Sequence, residues 1–409
     1  MRLFLIALVL ALVLSVVPSA IVVAQGDITI LSSDAKAQFP YSITFSMEAM
    51  STSDIVDVDI EIQADRRSLV PQSYRSDTDF ESDQNVDVSW TWNMFETGGI
   101  PPGTDIEYRW IIEDASGESF ESASSVVKYD DSRYDWNSLS SGQITLYWYE
   151  GSSSFAQQLI DAADEALDRL SGEFGVSLEQ PITFYIYADA WDLQGSLVYA
   201  DVWTGGMAFP AYDTIMLGIK VDNLDWGVRA VAHEVGHLVI GRLVFGPFGW
   251  LPTWLDEGVA MNAEGDLNDD FQDRLDEAIA DDALFSVRSI SSAFPADSND
   301  ARLSYAESYS VVRFLVDNYG SDELLELLDV FKQGNTDDEA LTQVYGFDSD
   351  GLDEAWRASL GLGPRPPVTP TSKGDIFSLS APYIALIVIE VILGILVIFL
   401  AISFIRRWR

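Results

Sequence analysis

The chain has 409 residues, 65 of them acidic and 23 basic, for a net charge of -42 at pH 7. Such a surplus repels nucleic-acid phosphates and anionic membrane surfaces, which argues against both as partners. There is no cysteine to form disulfides and no N-x-S/T glycosylation acceptor, and both absences fit a prokaryotic cell surface.

In chain order, Met1 and Arg2 precede an apolar run over 3–17, and Val22-Val23-Ala24 stands before Gln25. That pattern predicts a secretory signal over 1–24, with an uncleaved N-terminal anchor as the alternative. Residues 25–132 then break into short alternating stretches at 28–30, 42–47, 55–63, 86–92, 106–113 and 122–128, separated by Gly, Pro, Asp and Ser. With Pro101-Pro102-Gly103-Thr104 ahead of Ile106-Glu107-Tyr108-Arg109-Trp110, this region resembles an immunoglobulin-like or fibronectin-like all-β sandwich. It holds no catalytic constellation and reads as a spacer or protein-binding module. From 133 to 362 the pattern becomes α+β. Residues 143–149 alternate, 154–173 have helical period, 182–187 are β-rich, and 207–219 supply one or two strands before a helix over 224–245.

That last helix carries both histidines of the chain, His233 and His237, in Val231-Ala232-His233-Glu234-Val235-Gly236-His237. Residues four apart share a helix face, so the two imidazoles point at one spot where a zinc ion fits, with Glu234 alongside to work on its water. An apolar stripe of Val228, Val231, Ala232, Val235, Leu238 and Val239 predicts burial, and a buried helix needs a reason for two histidines. The arrangement H-E-x-x-H-x-x-G-x-x-H is excluded by Ile240 and Leu243, so a third protein ligand must be a carboxylate. Glu257 is the candidate, in Trp254-Leu255-Asp256-Glu257-Gly258-Val259-Ala260, a second helix starting near Pro252.

This segment resembles the W-L-x-E-G-x-A stretch of gluzincin metallopeptidases, the peptidase MA-like family and, more distantly, the M1 group. The resemblance implies a zincin-like fold, one zinc ion and Glu257 as its third ligand. Nineteen residues separate His237 from Glu257, one more than the M1 spacing, which leaves Asp256 as a rival ligand or as a hydrogen-bond partner behind a ligating histidine. Tyr305-Ala306-Glu307-Ser308-Tyr309 is similar to the tyrosine-bearing helix of the same families, and implies Tyr305 as hydrogen-bond donor to the oxyanion, with Tyr309 as fallback one turn later. The implied substrate is a peptide or protein, laid along the edge strand of the sheet. In the implied mechanism Glu234 takes a proton from water activated at the zinc and passes it to the leaving amine. One departure concerns specificity: where M1 aminopeptidases have G-x-M-E-N, this chain has Gly205-Gly206-Met207-Ala208-Phe209. Ala208 cannot hold a free amino terminus, so an endopeptidase is favoured.

The acidic run Asp266, Asp269, Asp270 and Asp273 reads as a solvated face rather than a calcium site. A Pro-rich stalk at 363–378 leads to an apolar stretch over 379–405 long enough to span a bilayer, and then to the basic tail 406–409. The tail predicts a cytoplasmic C-terminus, so the expectation is a single-pass cell-membrane protein with its ectodomain outside. Glu390 within the span suggests another membrane helix as partner, or a protonated side chain tolerated in a single helix. An inactive surface binding protein that keeps a peptidase-like fold is the alternative to an active enzyme.

Overall fold

A computed structural model describes residues 27–64, 66, 74–175, 180–199 and 205–365 of the chain. Period-two alternation in the first part yields seven strands: β1 (Thr29–Gln38), β2 (Ser42–Ala64), β3 (Tyr74–Asp77), β4 (Asp83–Asn93), β5 (Thr104–Asp114), β6 (Ser119–Glu121) and β7 (Ser125–Tyr129). All seven belong to one hydrogen-bonded sheet, whose spine is the 23-residue β2. The first half of β2 pairs with β1 and β4, and its second half with β3 and β5. Register shifts between Met50 and Ile55 mark the bend.

This corrects the expectation of an immunoglobulin-like sandwich, which needs two separately bonded sheets. The polar stretch Ser51-Thr52-Ser53-Asp54 reads as a break between two strands, yet β2 runs through it because its polar groups find partners, with the Ser51 hydroxyl donating to Asp114 at 2.8 Å. The result is a curved half-barrel sheet. Its core of Ile43, Phe45, Met47, Ile60, Trp110 and Ile112 also takes in Tyr185, Tyr187 and Met216 from the following region, so the β region does not close a core of its own.

The second sheet has the order β11 (Gly206–Phe209), β12 (Thr214–Gly218), β10 (Ile182–Tyr187), β9 (Ile144–Trp148), β8 (Asn137–Ser141). Strands β12, β10 and β9 are parallel, while β11 and β8 are antiparallel edges. A parallel centre is covered on both faces, and β10 shows it. Ile182, Phe184 and Ile186 join the helical core, whereas Tyr185 and Tyr187 turn to the half-barrel. The parallel strands β9 and β10 are joined through α1 (Ser153–Phe174), capped by the Ser152 hydroxyl oxygen accepting from the Phe155 amide, a contact of about 1 kcal/mol. After the short α2 (Ala190–Gln194) and the β11–β12 hairpin come α3 (Leu224–Leu243), α4 (Thr253–Ala263), α5 (Asp269–Ala280) and α6 (Ser298–Tyr319). Helices α7 (Ser321–Lys332), α8 (Asp337–Tyr345) and α9 (Ser349–Ser359) complete the layer.

Two glycines set the spacing of the helices that matter most. A Cβ on Gly236 of α3 would stand 2.5 Å from the Cα of Ala260 in α4, and one on Gly258 of α4 would stand 2.5 Å from the Ser308 carbonyl of α6. Helix α4 is thereby wedged between its neighbours at backbone contact. Among the described residues no helix is long and apolar enough to cross a membrane. The expected signal 1–24, span 379–405 with Glu390, tail 406–409 and nearly all of the stalk lie outside the described residues.

Candidate metal centre

The apolar stripe of α3 is buried as its pattern requires, with Val231, Val235 and Leu238 fully enclosed, and this rotates His233 and His237 toward a cleft on the opposite face. From α4, Glu257 reaches the same point. Its Oε2 lies 3.3 Å from His233 Nε2 and 3.4 Å from His237 Nε2, and the two Nε2 atoms are 3.1 Å apart. Zinc bonds of about 2.0–2.1 Å in a tetrahedron hold their ligand atoms about 3.3–3.4 Å from one another, so this triangle has the size of one face of a zinc site.

The outer nitrogens say which atoms are ligands. His233 Nδ1 meets Glu264 Oε1 at 2.8 Å, and His237 Nδ1 meets Asp256 Oδ1 at 3.0 Å. A carboxylate that accepts a hydrogen bond from Nδ1–H keeps the proton on that nitrogen and leaves the Nε2 lone pair facing inward, as in carboxylate–histidine–zinc chains. Three electron-rich atoms converging without a proton repel one another unless a cation joins them. The donor set of two imidazoles and one carboxylate fits zinc with a fourth position open, and among the described residues it is the only group of three or more such side chains placed to share a metal.

The local field favours a cation. Burial opposes charge on His233, but hydrogen bonds to Glu257 and Glu264 outweigh it and raise the imidazole to about 9. His237 is likewise raised against burial by Asp256 and Glu257. Burial would raise Glu257, yet the two histidines hold it well below the usual carboxylate range. Burial pushes Glu234 upward and the histidines pull it back, with a net rise that suits a group taking and returning a proton. Its carboxylate lies against β11, where a Cβ on Gly206 would come within 2.4 Å of Glu234 Oε1.

Asp256 therefore stands behind His237 and not in the ligand triangle. Tyr305 lines the metal cleft, its ring 6.1 Å from that of His233 and held edge-on by Phe294 at 5.0 Å. Burial, and then the charges of Glu257 and Glu234, raise its hydroxyl, which keeps it a hydrogen-bond donor. Tyr309 instead lines a separate small cavity with Arg169, Glu173 and Arg313, away from the metal ligands. In the acidic run, Asp270 is paired with Arg274 and Arg302. Sequence reasoning missed Glu264 and Arg229, which form an ion pair at 2.8 Å beside His233. The spacing of Arg229 four residues before His233 was a usable signal; Glu264, just past the end of α4, offered none.

Fold and site together define a zinc metallopeptidase of the gluzincin kind, with His233, His237 and Glu257 as its metal ligands. Residues 162–361 match the family model described as the Peptidase MA superfamily, and this domain belongs to it. None of the curated proteins matches the sequence. Among solved structures, the chain is similar to Legionella pneumophila aminopeptidase A in complex with aspartic acid, at 12% identity and TM-score 0.36, over 82% of this chain and 50% of that one. It is also similar to a mutant M1 zinc metallopeptidase from Deinococcus radiodurans, at 10% identity and TM-score 0.34, over 83% and 97%. Wild-type OgpA from Akkermansia muciniphila matches at 10% identity and TM-score 0.21, over 26% of this chain and 28% of that one, so this chain spans under a third of the OgpA length.

Proposed function

We propose that the protein is an endopeptidase held at the outer face of a cell membrane by one C-terminal helix. The observation that supports internal cleavage is the length and openness of the cleft. Its floor follows α3 from Trp226 to Val244, with the ligands midway between them. At 1.5 Å per helical residue this is about 27 Å, enough for about eight residues of extended peptide. Edge strand β11 contributes Gly206, Met207 and Ala208 to the wall, with backbone groups on its outer side for a substrate strand and no carboxylate among its own side chains to hold a free amine.

A zinc ion held by His233, His237 and Glu257 would supply Lewis-acid activation of water and of the scissile carbonyl. Glu234, half-buried against Gly206, takes the proton released by the attacking water and returns it to the leaving amine, while the Tyr305 hydroxyl donates to the oxyanion. Asp256 and Glu264 keep both imidazoles oriented. The outward-facing location rests on the signal pattern at 1–24 and the apolar stretch at 379–405 followed by basic residues.

The test is hydrolysis of N-acetylated, internally quenched peptides by zinc-loaded protein. Wild type should cut them internally, and Glu234→Gln should keep its zinc while losing turnover by about 100-fold or more. Strict need for a free amine would sink the endopeptidase reading, and full activity in Glu234→Gln would sink the assigned mechanism.

A further inference from the structure

The cleft changes character along α3. On the side of the helix N-terminus its walls include Trp226, Arg229 and Glu264, the last two paired with each other. On the side of the C-terminus the walls are Pro210, Val244, Trp250 and Leu251, with no charged side chain among them.

Two close approaches build that apolar end. A Cβ on Gly241 would come within 2.5 Å of the Pro210 ring, so the outgoing end of β11 lies directly on α3. A Cβ on Gly249 would stand 1.9 Å from the Val244 carbonyl oxygen, so the loop after α3 folds back onto the end of its own helix. This return places Trp250 on the cleft wall, where it remains 61% exposed. An indole face left in water on the wall of a cleft, beside Pro210, Val244 and Leu251, makes an apolar surface that a ligand can cover.

The distance from the metal ligands sets the register. Gly241 is one helical turn beyond His237 and Val244 nearly two, which is about 6–10 Å along the axis. An extended substrate advances about 3.3 Å per residue, so this end receives its second or third residue from the scissile bond. The geometry points to a specificity subsite, walled by Trp250, Leu251, Val244 and Pro210, for a large apolar side chain at that position on one side of the cut. The substrates are then peptide segments with Leu, Phe or a similar residue two or three places from the cleaved bond. This rests on the peptidase reading, and deepens it.

The experiment uses zinc-loaded full-length protein and N-acetylated quenched peptides in which each position within three residues of the cut is varied among Phe, Leu, Ala and Gly, with the cut located by mass spectrometry. The expected result is a preference of about tenfold or more in kcat/KM for Phe or Leu over Gly at one position, the second or third from the bond. In Trp250→Ala that ratio should shrink to within about threefold, and Trp250→Phe should restore most of it. A flat profile at every position, or an unchanged ratio in Trp250→Ala, overturns the subsite while leaving the peptidase intact. Absence of hydrolysis of every peptide by the zinc-loaded wild type sinks the peptidase reading, and the subsite with it.

Discussion

Replacing Glu264 by Ala should weaken zinc binding more than the same change at Asp256. Both carboxylates accept from the Nδ1 of a ligating histidine, at 2.8 Å and 3.0 Å. Removal of such a partner typically costs 10- to 100-fold in metal affinity, or about 1.4–2.7 kcal/mol. Exposure decides where in that range each falls. The Glu264 side chain is 9% exposed and Asp256 is 42% exposed, so water can replace Asp256 on His237 far more easily than Glu264 on His233. Loss of Glu264 also strips Arg229 of its ion pair and leaves a guanidinium near the cation. The expected losses are about 100-fold for Glu264→Ala and about tenfold or less for Asp256→Ala. Glu264→Gln, which keeps an acceptor oxygen, should fall between them. Competition against a chromophoric chelator at neutral pH measures all three, with circular dichroism to confirm folding. Equal losses at the two positions, or wild-type affinity in Glu264→Ala, would refute the assignment of the buried carboxylate as the stronger support.

Two further outcomes follow from the same geometry. In chelator-treated protein, His233 is raised to about 9 from an ordinary 6.5, burial being outweighed by Glu257 and Glu264. A raised histidine contributes stability that is complete below the lower value and is lost as pH passes the upper one. The melting temperature without metal should therefore fall between pH 6.5 and 9, and zinc should remove this dependence by taking the place of the protons; a flat profile in chelator would count against the arrangement. Gly236→Ala forces a Cβ to 2.5 Å from the Ala260 backbone, which neither helix can relieve by side-chain rotation. It should destabilise by about 1–3 kcal/mol and lower the melting temperature by several degrees; an unchanged melting curve would show that α3 and α4 separate freely.

The metal ligands were legible because helical periodicity is local. His233 and His237 share a face whatever surrounds them, and their scarcity already required a carboxylate as third ligand. The strands β9, β10 and β12 were legible for the same reason, since each alternation lies within a few residues. What failed in the β region was set by contacts far along the chain. The polar stretch 51–54 reads as a loop by composition, yet hydrogen bonding to Asp114, distant in sequence, keeps β2 continuous and turns an expected sandwich into one curved sheet.

The site divides along the same line. By itself the sequence determined which atoms can bind a metal, because ligand chemistry and the i, i+4 spacing belong to single residues and single helices. Only the tertiary structure decided between Glu257 and Asp256, since adjacent positions on α4 point in different directions and the wedge at Gly236 and Gly258 sets which one meets both Nε2 atoms. It likewise decided that Tyr305 and not Tyr309 reaches the cleft, and it brought in Glu264, Arg229 and Trp250, whose roles exist only where α3 meets α4 and the returning loop.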